Sequence, residues 1–265
     1  MTKHIISVLL IAFTWVSAQR VVGYYPQWIQ NSFPVEQIDF SIVTHVIHAF
    51  AWPNADGSIS YYDNMLDTHI ATVVHQQGRK LLLSFGGWGN NEGFAAMASN
   101  EDSRQNFISN LLDLFDNYGY DGIDLDWEYP TTATETNNLT LLVQELRDAF
   151  DNVNPDYMIT MAIGSSNWSG QHFEYEIMNE NLDWFSMMGY DFHGSWSSHA
   201  GHNAPLYQSP PGDADGAVHT GINYLLNTRN IPVEKLNLGV PFYGKKFNAS
   251  AINGSYSGAV TDIWH

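Results

Sequence analysis

The amino-acid sequence predicts an α/β fold with a parallel sheet, and more specifically a (β/α)₈ barrel from which one strand is missing. Short apolar runs rich in β-branched residues alternate with longer segments of helical periodicity. Most of these runs end in a polar or aromatic cluster, as barrel strands do at their carboxyl ends. The length of 265 residues is also compatible with a single barrel domain.

Seven strands are predicted in chain order. They cover residues 20–25, 43–51, 80–85, 122–127, 158–163, 184–190 and 236–242. Two crossover helices, over 103–118 and 135–150, are indicated by apolar residues that recur three and four positions apart. No nucleotide-binding glycine loop follows any strand, so an open doubly wound sheet is the weaker alternative. The stretch after the seventh strand is rich in Ser, Gly and Asn and shows no strand pattern, so we expect a truncated C-terminus.

Residues 1–18 have the plan of a secretory signal. Lys3 precedes an apolar run that is followed by Ser17 and Ala18. The run of about 12 residues is shorter than the ~20 needed to cross a bilayer, so we expect a secreted protein without a membrane anchor and a single domain over 19–265. Four N-glycosylation sequons are consistent with a secreted protein. They begin at Asn138, Asn167, Asn248 and Asn253.

The composition excludes several classes of function. The formal net charge is −18 and only ten residues are Lys or Arg, which argues against a nucleic-acid partner. The absence of cysteine excludes a thiolate nucleophile and a cysteine metal site. Nor do the histidines show a zinc-type spacing, and His193 is expected to be a hydrogen-bonded loop residue rather than a ligand. The histidines considered are His45, His48, His193, His199 and His202.

Three carboxylates follow one another at alternate positions of the fourth predicted strand. Asp124, Asp126 and Glu128 therefore share one face, while the apolar residues between them face the helices. Carboxylates this close repel one another, so at least one should hold a proton near neutral pH, as a general acid requires. A strand-end cap or a Ca²⁺ or Mg²⁺ site is the alternative. Carboxylates of a single strand do not surround an ion, however, so no metal is predicted.

The segment 121–130, Asp-Gly-Ile-Asp-Leu-Asp-Trp-Glu-Tyr-Pro, resembles the Asp-x-x-Asp-x-Asp-x-Glu signature of family 18 glycoside hydrolases, in a context similar to that of chitinases. Segments 84–88, 188–191 and 238–244 resemble further motifs of this family in the same order. The resemblance implies a monomeric, cofactor-free endo-acting enzyme that cleaves chitin or N-acetylchitooligosaccharides by substrate-assisted retaining hydrolysis. It also implies an eighth strand that is not found here.

The resemblance implies specific roles for the site residues. Glu128 would be the acid and base, Asp126 would orient the substrate acetamido group, and Asp124 would share a proton with Asp126. Tyr190 would donate to the acetamido carbonyl. The implied substrate-binding residues are Tyr24, Phe50, Gly87, Trp88, Met188, Asp191, Tyr243 and Lys245. Phe50 and Met188 could equally belong to the barrel core, and Lys245 stands where many relatives have arginine.

Two other functions remain open. A non-catalytic chitin-binding lectin of the same fold would generally lack the acid that Glu128 supplies. An endo-β-N-acetylglucosaminidase would use the same chemistry on a glycan core, but the residues that flank Glu128 and the segment 193–196 are more similar to those of chitinases.

Overall fold

The computed structural model describes residues 19–264, so the predicted signal 1–18 lies outside the described residues. Seven parallel strands form the main sheet. They are β1 (Val22–Pro26), β2 (His45–Pro53), β4 (Lys80–Gly86), β5 (Gly122–Asp126), β6 (Met158–Ile163), β7 (Trp184–Met187) and β8 (Leu236–Leu238). Their order is β1-β2-β4-β5-β6-β7-β8, as in a (β/α)₈ barrel that is not closed between its ends. The predicted parallel sheet and its seven strands are confirmed.

Two predicted strands are too long. β7 ends at Met187 rather than at residue 190, and β8 ends at Leu238 rather than at 242. Asp191 has a positive φ of 58°, so the chain turns away soon after β7. After β8, Pro241 has no N–H with which to extend the ladder.

Residues 19–264 contain seven α-helices, which lie between or beside the strands. They are α1 (Thr68–Gln76), α2 (Glu92–Ala98), α3 (Glu101–Tyr118), α4 (Ala133–Val153), α5 (Asn167–Gly170), α6 (Tyr175–Asn181) and α7 (Val218–Asn223). The two predicted helices correspond to α3 and α4. α4 begins with a capping box between Thr132 and Glu135, and α3 ends at Gly119 in the left-handed conformation. None of the helices in residues 19–264 combines the length and apolarity of a membrane span.

The core lies between the sheet and these helices. Ile123 and Leu125 of β5 are fully buried in one apolar cluster with residues of α3 and α4, such as Phe107 and Leu142. Side chains of a strand alternate between its two faces, so this packing turns Asp124 and the neighbouring Asp126 towards the barrel interior. The position of the acids therefore follows from the burial of the apolar residues between them.

Two antiparallel hairpins supplement the parallel sheet. β3 (Ile59–Tyr61) pairs with β2, whereas β9 (Tyr243–Lys246) and β10 (Thr261–Trp264) form a sheet of their own. The prediction that the segment around Trp264 has no strand was therefore wrong. Asp262 lies opposite Lys245 in this hairpin, and their ion pair of 2.8 Å is a cross-strand contact that local pattern does not reveal.

The main sheet has two free edges. Within residues 19–264, β1 pairs only with β2, and β8 pairs only with β7. β10 does not join either edge. This arrangement agrees with the prediction of seven barrel strands, since no eighth parallel strand lies among the described residues.

Candidate active site

Strand β5 carries two of the three predicted acids. Asp124 and Asp126 are buried with exposed fractions of 0% and 5%, and Glu128 follows two residues after the strand and is only partly buried. The alternation predicted from the sequence thus places two carboxyl groups inside the barrel and the third at its rim. Their catalytic roles stay predictions.

Asp124 is held by hydroxyl groups from three other strands. The hydroxyls of Tyr24 and Ser84 donate to its Oδ2 at 2.9 and 2.8 Å, and Thr160 Oγ1 donates to its Oδ1 at 2.6 Å. Burial raises the pKa of Asp124, and these three hydrogen bonds act against that rise. Asp124 is therefore fixed in one orientation.

Ser84 and Thr160 were not predicted as site residues. Both lie opposite Asp124 in the sheet register, on β4 and β6. The sequence feature that could have identified them is a residue with a hydroxyl group in the middle of an otherwise apolar strand. Only the register shows that both side chains meet the same carboxylate.

Asp126, unlike Asp124, is not held by hydroxyl groups of neighbouring strands among the described residues. Its Oδ1 is buried and has no hydrogen-bond partner among the described residues. Burial raises the pKa of Asp126 well above its ordinary value, and the nearby charges of Glu128 and Asp124 raise it further. The group therefore favours its protonated form and retains an oxygen that can bind a substrate atom.

Glu128 lies at a cleft of about 320 Å³, which is also lined by Trp88, Asn91 and Glu92. Its backbone N–H donates to Asn91 Oδ1 at 3.0 Å. Burial raises the pKa of the Glu128 carboxyl, a hydrogen bond from the Tyr129 side chain lowers it, and the charge of Asp191 raises it again, with a net rise. Glu128 is thus a carboxylic acid with access to the cleft. Asn91 and Tyr129 were not predicted.

Tyr190 follows β7 and lies within electrostatic reach of the acids. Burial raises the pKa of its phenol above the usual range, and the charges of Asp126 and Glu128 raise it further. The phenol therefore stays protonated and can donate a hydrogen bond. Its ring centre is 6.1 Å from that of Tyr243, another predicted binding residue.

Aromatic residues at the ends of β1 and β2 form one wall beside the acids. The ring centre of Phe50 lies 6.5 Å from that of Tyr24 and 6.4 Å from that of Trp28, on which it stacks. Gly87 has a φ of 79°, and a Cβ there would approach the Phe50 ring to 3.2 Å, so glycine suits this position sterically. Trp28 is 61% exposed and was missed, although it follows the predicted cluster at the end of β1.

The remaining predicted binding residues differ in their exposure. Trp88 is 79% exposed, as expected of a groove residue rather than a core residue. Phe50 and Met188 are partly buried, so neither is a fully enclosed core side chain.

Lys245 is engaged with acidic side chains. Its Nζ lies 2.9 Å from Asp191 Oδ1 and 2.8 Å from Asp262 Oδ1. Burial lowers the pKa of Lys245, but its hydrogen bonds to the two carboxylates outweigh that effect and raise the pKa overall. In this structure Lys245 positions Asp191, which was predicted to contact the sugar directly.

The raised pKa of Asp126 predicts that the stability of the fold depends on pH. A carboxyl group whose pKa is higher in the folded chain than in the unfolded chain stabilises the fold while it is protonated. That contribution is lost as the pH rises from the pKa of the group in the unfolded chain, about 3.9, through its pKa in the folded chain. The side chain in Asp126→Asn stays neutral at every pH. The melting temperature of this variant, relative to that of the unsubstituted chain, should therefore increase as the pH rises. A gain of about 2–4 °C would correspond to roughly 1 kcal/mol.

The measurement is thermal unfolding between about pH 4 and pH 8. The control is Asp113→Asn, which removes an exposed carboxylate of α3 and should show a nearly constant difference from the unsubstituted chain. A constant difference for Asp126→Asn as well would contradict the assigned pKa shift.

Comparison with known proteins places this chain in a family. Residues 20–262 match the family model described as "Glycosyl hydrolases family 18". The chain belongs to glycosyl hydrolases family 18. Endochitinase 1 of Metarhizium robertsii is 34% identical over 280 residues, which cover 91% of this chain and 64% of the relative. This family 18 chain thus spans less than two thirds of that relative's length.

Solved structures in the family are similar across most of the chain. The Group IV chitinase of Ostrinia furnacalis in complex with allosamidin is 30% identical, with a TM-score of 0.80 over 89% of this chain and 71% of that chain. A mutant Class V chitinase from Nicotiana tobaccum in complex with NAG4 is 28% identical, with a TM-score of 0.80 over 89% and 72% of the two chains. The (β/α)₈ fold predicted from the sequence is therefore that of family 18.

Proposed function

We propose that this chain is a secreted, endo-acting chitinase that hydrolyses β-1,4-linked N-acetylglucosamine polymers. The observation that carries the proposal is a carboxyl group of raised pKa, Glu128, at the edge of a cleft, next to the buried acids Asp126 and Asp124. Membership of family 18 and the similarity to chitinases solved with allosamidin or NAG4 support this substrate class.

The first chemical step uses the proton of Glu128. The raised pKa keeps this group protonated closer to neutral pH, so it can protonate the glycosidic oxygen as the bond to the anomeric carbon breaks. The oxygen of the substrate's own 2-acetamido group attacks the anomeric carbon and forms an oxazolinium ion. The protein then needs no carboxylate nucleophile, and the substrate must carry an N-acetyl group.

The acetamido group requires an acceptor and a donor. Asp126 Oδ1, which has no partner among the described residues, would accept the acetamido N–H. Tyr190, with its raised pKa, would donate its hydroxyl to the acetamido carbonyl. Asp124 is fixed by its three hydroxyl partners and would hold the proton that it shares with Asp126.

The second step reverses the direction of proton transfer. Glu128, now a carboxylate, would take a proton from the water that opens the oxazolinium ion. Two displacements at the anomeric carbon retain its configuration, so the first product should be the β-anomer. The exposed Trp88 and the Tyr24–Phe50–Trp28 wall offer aromatic faces to the sugar rings.

The product anomer tests this mechanism. Proton NMR during hydrolysis of an N-acetylchitooligosaccharide should show the β-anomer before mutarotation, and a thiazoline analogue of the oxazolinium ion should inhibit competitively. An α-anomeric first product would identify an inverting enzyme and contradict the proposal.

Assays on different substrates distinguish the proposed chitinase from the two alternative functions, a chitin-binding lectin and an endo-β-N-acetylglucosaminidase. Release of a fluorophore from an N-acetylchitooligosaccharide conjugate would not be seen with a lectin. Cleavage of a high-mannose glycoprotein without cleavage of chitin oligomers would indicate an endo-β-N-acetylglucosaminidase.

Secretion is part of the same proposal and rests on the sequence of residues 1–18. Expression in a eukaryotic secretory host should yield a protein in the medium that begins at Gln19. Retention of residues 1–18 in the product would contradict the assigned signal. The acidic chain is expected to act on its neutral substrate as a monomer.

A further inference from the structure

Four side chains converge in the long loop between β7 and α7. One nitrogen each of His193 and His199 and one oxygen each of Asp213 and Asp215 all lie within 4.8 Å of one another. His193 Nε2 is 2.9 Å from Asp213 Oδ2, 3.2 Å from His199 Nε2 and 3.8 Å from Asp215 Oδ2. His199 Nε2 is 3.1 Å from Asp213 Oδ2. The cluster takes no part in the chemistry assigned to Glu128.

The hydrogen bonds of the cluster leave an excess of acceptors. His193 Nδ1 lies 2.9 Å from the carbonyl oxygen of His202, so its N–H donates there and Nε2 is the ring nitrogen that faces Asp213 and His199. In addition, Asp215 Oδ2 is buried without a hydrogen-bond partner among the described residues. A cation at the centre would satisfy all of these atoms.

The distances fit a small tetrahedral ion. Zn²⁺ binds nitrogen and oxygen at about 2.0–2.2 Å, which places neighbouring ligand atoms about 3.3–3.6 Å apart in a tetrahedron. Four of the six separations between the ligand atoms, 2.9 to 3.8 Å, lie around this value, and all six are within 4.8 Å. Two carboxylates balance the charge of a divalent ion, and two imidazoles favour a transition metal over Ca²⁺ or Mg²⁺.

The surrounding loop orients the ligands. The carbonyl of His202 fixes the ring of His193, which is fully buried, and a Cβ at Gly201 would come within 1.9 Å of that ring. The backbone N–H of Asp215 donates to Asp213 Oδ1 at 3.0 Å, which leaves Oδ2 of Asp213 directed at the histidines. A hydrogen bond on the far nitrogen of a ligating histidine is a usual feature of protein metal sites.

We propose that His193, His199, Asp213 and Asp215 bind one Zn²⁺ ion that has a structural role. Four protein ligands complete a tetrahedral shell and leave no open position for a substrate. The ion would link residues at both ends of a loop that has no disulfide. Asn203 of the same loop accepts a hydrogen bond from the backbone N–H of Asp191 at 3.2 Å, so the ion would also steady the approach to the candidate active site.

This proposal revises an expectation. The sequence predicted no metal, with His193 as a hydrogen-bonded loop residue. The hydrogen bond is present, but the ligands are spaced too irregularly along the chain to resemble a zinc motif. Only the fold of the loop brings them together.

The test is metal binding by the whole 265-residue chain. After treatment with a chelator, the chain is titrated with Zn²⁺ and, separately, with Co²⁺, whose visible absorption reports tetrahedral nitrogen and oxygen coordination. We expect one ion per chain, a rise in melting temperature with Zn²⁺, and the tetrahedral Co²⁺ spectrum. His199→Gln and Asp215→Asn should each weaken binding by about 100-fold or more, since loss of a supporting residue alone costs 10–100-fold.

The matched control is His202→Gln. It removes the exposed side chain of a histidine in the same loop and keeps the backbone carbonyl that is hydrogen-bonded to His193. Its metal affinity should equal that of the unsubstituted chain. The proposal is overturned if the folded chain binds neither Zn²⁺ nor Co²⁺, or if both ligand variants bind as tightly as His202→Gln. The readout does not involve hydrolysis, so it is independent of the proposed chitinase function.

Discussion

Glu128→Gln is expected to lower the turnover of N-acetylchitooligosaccharides by about 100- to 10,000-fold, the usual contribution of general acid–base catalysis. The amide has nearly the shape of the carboxyl group but no proton to donate. The groove formed by Trp88, Tyr24 and Phe50 is unchanged, so oligosaccharide binding should remain close to normal. The loss should therefore appear in kcat and much less in KM.

The control for this substitution is Glu92→Gln. Glu92 lines the same cleft as Glu128 but is exposed, so the substitution makes the same chemical change in the same region without removing the acid. Turnover and isothermal binding would be measured for both variants at the same pH. If Glu128→Gln keeps a turnover within a few-fold of that of Glu92→Gln, Glu128 is not the acid.

Gly86→Ala is expected to have a large effect on stability near the site. Gly86 ends β4 with a φ of 110°, and a Cβ at this position would lie 2.1 Å from the carbonyl oxygen of Asp126. That oxygen also accepts the N–H of Gly87 at 2.9 Å, so any shift would disturb the backbone that carries the acid. Backbone strain of about 1–2 kcal/mol and overpacking of about 1–3 kcal/mol together predict a loss of about 2–5 kcal/mol.

Gly89→Ala separates the two contributions. Gly89 has a φ of 90°, but a Cβ there would meet nothing within 4 Å. This variant should lose only the strain, about 1–2 kcal/mol. The measurement is the free energy of unfolding in urea for both variants, with turnover of the folded fraction. Equal losses at the two positions would show that contact with Asp126 does not determine the need for glycine at Gly86.

The sequence by itself determined the features that depend on local periodicity. Side chains alternate along a strand, so the spacing of Asp124, Asp126 and Glu128 was enough to place the first two on the interior face of β5. The 3.6-residue period likewise identified α3 and α4. The ends of β7 and β8 were predicted less well, because a strand ends where its pairing ends, and pairing is not a local property.

Only the tertiary structure decided which distant groups meet. The register of three parallel strands brings Ser84 and Thr160 to Asp124, and the β9–β10 hairpin brings Asp262 to Lys245. The loop after β7 gathers His193, His199, Asp213 and Asp215 around one point. These contacts depend on strand register and loop folding, which are set by packing across the whole domain. A short window of sequence contains the residue types but not the distances between them, and it is those distances that decide whether a polar residue contacts the acid, an ion or solvent.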